Sequence, residues 1–239
     1  MRTIEIVNNP LGCDIRIIHT ESGLVSPDVT KIVIQKYDPV VSEWKHAYEK
    51  LITTSTDADF TLSDIYVASL HEYSYKMIYI DSDSTILDEV ERTVKCNFDG
   101  LVVMDSYGNT YNAVANWNYT HSREGGAGFI QPFFSRFPIA IYNGNVNYES
   151  GNASGLFAPF DSKGNPVYDN LTLYRHRLID YLTDHRVKLF KTYDGYMWLV
   201  AIDNGVQDSY DGHLDSEVVS FDWREVQEIP TTDMMRVIA

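Results

Sequence analysis

Cysteine, basic side chains and long apolar runs are scarce in this sequence. Its 239 residues include two cysteines, Cys13 and Cys96. So few offer no disulfide framework and suit assembly in a reducing compartment, although a bridge between the two stays open. No stretch approaches the roughly 18 apolar residues of a membrane-spanning helix. The amino terminus, Met1-Arg2-Thr3-Ile4-Glu5-Ile6-Val7, alternates like a strand. It lacks the basic and then apolar segments of a secretory signal, so folding in a cytoplasm is expected. Nineteen Lys and Arg stand against 34 Asp and Glu, a net charge of −15. Such a surface repels phosphate, which sets nucleic acid and anionic membranes aside as partners. The excess is even, with 9 basic and 16 acidic side chains in residues 1–97 and 10 and 18 in residues 98–239, so no charged tail stands out.

Motifs of catalysis are missing as well. The seven histidines are scattered, none in a His-x-x-x-His pair, and the cysteines form no Cys-x-x-Cys. Gly125-Gly126-Ala127-Gly128 lacks the Lys-Ser/Thr of a phosphate-binding loop, and nucleophile motifs such as Gly-x-Ser-x-Gly are absent. Nothing singles out two of the 34 acids as a glycosidase pair. Asp203, Asp208, Asp211 and Asp215 gather oxygen ligands in one segment, but their spacing is not that of a calcium-binding EF-hand loop. No enzymatic activity, metal or cofactor is therefore expected.

Aromatic residues are abundant, 13% of the chain with 17 tyrosines, which favours strands and recognition surfaces over helical bundles. The fold expected is mainly β. In residues 1–97, strands are predicted at Arg2–Val7, Asp14–His19, Lys31–Tyr37, Trp44–Leu51, Asp59–Leu62, Tyr73–Ile80 and Glu89–Cys96, separated by Asn, Asp, Gly and Pro turns. Seven short strands at this spacing indicate a β-sandwich. Leu62 before a corner, then Tyr73-Ser74-Tyr75 opening the next strand, resembles the tyrosine corner of fibronectin type III domains. Ile32–Tyr37, a Pro turn and Trp44 resemble two adjacent strands of that fold, whose usual core tryptophan is missing from Asp14–His19.

Residues 98–239 read as a second β domain, a sandwich or barrel with one helix. Leu101–Asp105 and Tyr111–Ala115 form a hairpin around Tyr107-Gly108-Asn109. Thr120–Gly128 reads as a mobile loop. Phe129–Phe134, Pro138–Tyr142, Asn145–Tyr148 and Ala153–Phe157 read as short strands. Leu171, Tyr174, Leu178, Tyr181 and Leu182 recur at helical spacing, which predicts a helix over about 170–185 capped by Asp169 or Asn170, with Arg175, Arg177 and Asp180 on the wet side. A hairpin over Arg186–Asp203 and a strand Glu217–Glu225 follow, with Trp198 and Trp223 in the core. The tail from Pro230 either docks as a strand or stays flexible.

Three stretches of this half resemble tail and baseplate proteins of phages and prophages of Gram-positive bacteria. They are Phe137-Pro138-Ile139-Ala140-Ile141-Tyr142-Asn143-Gly144 with Asn147-Tyr148-Glu149-Ser150-Gly151; Arg175–Leu182 with Lys188-Leu189-Phe190-Lys191; and Gly195-Tyr196-Met197-Trp198 with Phe221-Asp222-Trp223-Arg224-Glu225. Where that family's ending continues with Gly-Asp, this chain has Gln227-Glu228. The resemblance implies a non-enzymatic virion structural protein, assembled in the host cytoplasm. It would form a ring-like homo-oligomer or an adaptor between the tail and peripheral or receptor-binding proteins, so its partners are copies of itself and other tail proteins. The candidate contact residues are Trp117, Tyr119, Arg123, Glu124, Tyr142, Asn143, Asn147 and Tyr148. Alternatives are a neck or collar protein, and a module binding host cell-wall glycan. The second would use Trp117, Tyr119, Tyr142, Tyr148, Tyr193, Tyr196 and Trp198 as a stacking platform.

Overall fold

A computed structural model describes residues 2–21, 28–209 and 218–238. Strands dominate, and they build a sandwich and a six-stranded closed barrel. The sandwich takes β1 (Arg2–Asn9), β2 (Asp14–Glu21), β3 (Lys31–Asp38), β4 (Glu43–Leu51), β5 (Phe60–Asp64), β6 (Glu72–Ile80) and β7 (Ile86–Lys95). One sheet has the order β1-β2-β5 and the other β4-β3-β6-β7. With a final strand joining β5, each sheet has four strands, and the two antiparallel sheets pack as a β-sandwich.

Alternation explains the two layers. Ile15 and Ile17 from one sheet meet Ile32, Ile34, Tyr75, Met77 and Tyr79 from the other, all buried. In place of the missing tryptophan, buried His19 stacks on Phe60 with ring centroids 5.1 Å apart, and its Nε2 lies 2.9 Å from the Tyr79 hydroxyl. At the corner, Tyr75 donates to the Asp64 carboxylate at 2.7 Å. Lys36 Nζ sits 2.7 Å from the same carboxylate, and the Tyr66 N–H donates to its other oxygen at 2.9 Å. The Tyr73 hydroxyl accepts the Ala68 N–H at 2.7 Å. A buried charge is tolerated only when its hydrogen-bonding capacity is met, and Asp64 meets this condition.

The barrel consists of β8 (Leu101–Met104), β9 (Thr110–Ile130), β10 (Ile139–Phe157), β11 (Lys188–Thr192), β12 (Met197–Ser209) and β13 (Val218–Gln227), in the order β10-β13-β12-β11-β8-β9. Its interior holds Leu101, Val103, Phe190, Trp198, Val200, Phe221 and Trp223. β8 and β11 are buried on both faces. Their alternate residues Val102, Met104 and Leu189 join the sandwich core, so the two units pack through a continuous apolar layer. The final strand, β14 (Met235–Val237), crosses back and pairs with β5, so the tail docks as a strand of the sandwich.

One turn chemistry recurs. Asp105-Ser-Tyr-Gly-Asn109 and Asp161-Ser-Lys-Gly-Asn165 each close with the first N–H donating to the fifth carbonyl, at 3.1 and 2.9 Å, and with the Asp carboxylate receiving backbone N–H groups. The fourth position, Gly108 (φ 105°) or Gly164 (φ 84°), is left-handed, which glycine adopts without a Cβ clash.

The one α-helix among the described residues, α1 (Leu171–Leu182), is shorter than the predicted 170–185. Asn170 is its N-cap residue but makes no side-chain cap bond. Arg175 is not on the wet side. It is buried, with an ion pair to Asp208 at 3.7 Å, because it lies four residues after Leu171 on the same stripe that carries Leu178 and Leu182 against the barrel.

Candidate functional site

The largest departure from the sequence expectations lies at residues 110–157. Thr120–Gly128 is not a loop but part of a strand. Of the four short strands predicted, Pro138–Tyr142, Asn145–Tyr148 and Ala153–Phe157 run together as one, and in Phe129–Phe134 only Phe129 and Ile130 are strand, because Pro132 cannot donate to the ladder. β9 and β10 are two long strands paired from Phe157↔Ala113 outward to Ile139↔Ile130. β10 leaves β13 at Ser150↔Arg224, so beyond this point the two strands continue alone as an arm. The Asn143-Gly144 pair is not a turn between strands either. It lies at a bulge within β10, where the register jumps from Asn143↔Gly126 to Asn147↔Gly125. Gly125, Gly126 and Gly128 erase the alternation that identifies a strand, so the sequence pattern reads as a loop while cross-strand pairing holds the chain extended. Pro132 and Pro138 bracket the turn at the tip. Proline supplies no ladder donor, and the Ser135 N–H closes the turn onto the Pro132 carbonyl at 3.2 Å.

The arm has a built root. Tyr119, His121 and Arg123 alternate onto one face of β9, opposite Ala153, Gly151 and Glu149. Glu149 Oε2 accepts from the Trp198 indole N–H at 2.8 Å and lies 3.2 Å from His121 Nδ1. Its Oε1 accepts from Arg123 at 3.0 Å, and the Glu225 carboxylate receives the Glu149 N–H at 2.9 Å. Burial alone would raise the Glu149 pKa, but these hydrogen bonds and the nearby imidazole outweigh it and hold the carboxyl below its ordinary value. The Tyr119 hydroxyl donates to Asp194, and Tyr196 lies flat on Trp198 at 5.3 Å. From Trp198 the rings continue inward to Trp223 at 4.7 Å and Phe190 at 5.7 Å. An aromatic spine therefore ties the arm to the barrel core.

The structure distributes the predicted contact residues along this arm. Tyr119 and Arg123 belong to the root. Glu124 accepts from the Ser150 hydroxyl at 3.1 Å on the outer face. Arg123, Asn147 and Tyr148 border a cleft with Glu225 and Glu228, and the Arg224 guanidinium lies 5.6 Å from the Tyr148 ring centroid. Tyr142 projects near the tip, 76% exposed, and Asn143 pairs with Gly126 in the ladder. Trp117 stands apart at the base, 4.5 Å from the ring of Tyr193. Of the aromatics considered for sugar stacking, Tyr119 and Tyr196 are in ring contact with buried Trp198, Trp117 pairs with Tyr193, and Tyr142 lies near the tip.

The sequence reading missed the tip itself. Phe129, Ile130, Phe133, Phe134, Phe137, Ile139 and Ile141 are all more than half exposed, and Phe134 is fully exposed. Residues 125–148 carry a single charge, Arg136. A 24-residue window with one charge in an otherwise acidic chain was the available signal.

Cys13 and Cys96 are free and buried. Burial pushes the Cys13 thiol up to about 12 and Cys96 to about 11. Fully buried Lys191 donates to the Cys13 carbonyl at 2.7 Å between barrel and sandwich, and burial lowers its pKa to about 8. No cluster of three or more His, Cys, Asp or Glu able to hold a metal occurs among the described residues. Asp203 pairs with Arg224 at 2.7 Å, whereas Asp211 and Asp215 of the acidic segment lie outside the described residues. No helix among the described residues is long and apolar enough to cross a membrane. Searches against protein-family models, curated proteins and solved structures return no match to this chain.

Proposed function

We propose that this protein is a non-enzymatic structural subunit of a phage tail or baseplate, acting as a ring or adaptor component through its β-hairpin arm. The observation that carries the reading is the arm. It is held by a satisfied polar and aromatic root, and it ends in exposed apolar side chains that its own body does not cover. Exposed apolar patches rimmed by polar surface mark interaction sites. Among the described residues, both outer edges of the arm also lack a paired strand, which suits pairing with another chain. The resemblance of residues 98–228 to tail proteins supplies the context in which such a connector works.

The test is to shorten the arm by joining Glu124 to its cross-strand partner Tyr148 through a two-residue Asn-Gly turn. The circular dichroism of sandwich and barrel should persist, while incorporation into tails, followed by immunogold labelling of particles, should be lost. Labelled tails carrying the shortened protein at wild-type levels would refute the arm's role. Particles that never label, with all of the protein free in the lysate, would refute the virion role.

A further inference from the structure

Resting on that reading, we infer that the arm tip of one copy docks into a pocket at the sandwich–barrel junction of a second copy, with fully exposed Phe134 as the knob and Arg136 paired to Asp99. The pocket, of about 280 Å³, is lined by Pro10, Leu11, Asp99, Gly100, Trp117 and Phe160, among others. A cavity of about 150 Å³ accepts benzene, so this one has room for a phenyl ring. Its walls are fixed in advance. The Asn112 side chain donates to the Leu11 carbonyl at 3.0 Å, the Phe160↔Pro166 bridge and the Asp161 turn shape the opposite side, and Gly164 brings backbone against Leu11. Gly100 is required at φ 79°, where a Cβ would sit 2.3 Å from the Ala113 carbonyl oxygen.

Three observations select a second copy as the occupant. The first is charge. The tip's single charge is Arg136, set among Phe133, Phe134 and Phe137, and the exposed Asp99 carboxylate stands at the pocket rim. The second is apolarity on both sides of the ribbon. The cross-strand register puts Ile130, Ile139 and Ile141 on one face and Phe129 and Tyr142 on the other, so the tip needs enclosure rather than a flat surface. Lipid would enclose it too, but a two-stranded ribbon would carry two unpaired backbone edges into hydrocarbon at a cost of several kcal/mol per group. The third is reach. Trp117 lines the pocket at the arm's base, and Ile130 lies 13 residues further along β9, about 40 Å of extended chain. The knob therefore points away from its own hole. Knob and hole at opposite ends of one subunit make a head-to-tail contact, which propagates into a ring or filament.

Sedimentation velocity of the purified full chain over a wide concentration range tests this. Wild type should self-associate. Phe134→Ser, Leu11→Trp (which fills the pocket) and Asp99→Arg should each weaken association by about thirtyfold, the loss of one anchor residue. Circular dichroism is checked for each. An equimolar mixture of the Phe134→Ser and Leu11→Trp proteins retains one good knob and one good hole, and should stop at dimers. The double variant Arg136→Asp/Asp99→Arg should regain association that each single change loses. If Leu11→Trp and Asp99→Arg associate like wild type while Phe134→Ser does not, the pocket assignment is overturned and the arm's connector role survives. Wild type that remains monomeric overturns the second-copy docking, whether or not it floats with phosphatidylcholine vesicles. Flotation that depends on Phe134 would make lipid the occupant.

Discussion

Replacing Glu149 by alanine tests whether the arm is a rigid extension of the barrel. The side chain is largely buried and has three partners: the Trp198 indole N–H, Arg123 and His121. They are not equal. Arg123 is 69% exposed, so solvent screens its ion pair and little stability is lost with it. Trp198 is buried, and removing its acceptor leaves an unpaired N–H, which costs about 1–3 kcal/mol. The expected loss is therefore about 2 kcal/mol. In a chain of this length that lowers Tm by roughly 4–8 °C. Glu149→Gln keeps a carbonyl oxygen for the indole and should cost less than about 1 kcal/mol. The coupling is read by a double-mutant cycle with Trp198→Phe, since Glu149→Ala should be nearly neutral once the indole N–H is gone. The pH dependence has a definite sign. The folded Glu149 pKa is lowered, so its contribution is present above the unfolded carboxylate value near ~4.3 and is lost as pH falls through the lower folded value. Denaturant melts of wild type and Glu149→Ala should therefore converge in acid. An alanine variant within about 0.5 kcal/mol of wild type at pH 7, or an equal cost in the Trp198→Phe background, would refute the reasoning.

Three further outcomes are expected. Asp64→Ala strands the buried Lys36 ammonium and should cost about 3–5 kcal/mol by denaturant melt, and Lys36→Met should recover part of that loss in the double variant. Lys191 has a folded pKa of about 8 against 10.5, so between those values the unfolded chain holds more proton and this group's contribution to stability rises with pH. Any advantage of Lys191→Met over wild type at pH 7 should shrink by roughly 3 kcal/mol by pH 10.5 in parallel melts. Gly151→Val should prevent normal closure of the arm's root, because a Cβ there would meet the Thr120 carbonyl oxygen; loss of the native near-ultraviolet dichroism of the aromatic spine reports it.

The sandwich was legible in the sequence because it faces water on one side and core on the other. Ile15/Ile17, Ile32/Ile34 and Tyr75/Met77/Tyr79 alternate, and Asp, Asn, Gly and Pro turns mark their ends. The hairpin β11–β12 and the core placement of Trp198 and Trp223 were legible for the same reason. The helix was legible from its spacing, but the ion pair that Arg175 makes was not, since Asp208 lies on the distant strand β12.

The arm was decided by tertiary structure. Gly125, Gly126 and Gly128 have no side chains with which to signal a strand, and a ribbon apolar on both faces has no period of two. Only the pairing of β9 with β10, thirty residues apart at the root (His121↔Gly151) and nine at the tip (Ile130↔Ile139), draws these residues into one element. The same holds for the root, where Glu149, Trp198 and Arg123 come from three strands, and for the pocket, which forms where barrel and sandwich meet. Local chemistry determines strands and turns residue by residue. Contacts between distant strands determine which side chains converge, and no local pattern encodes them.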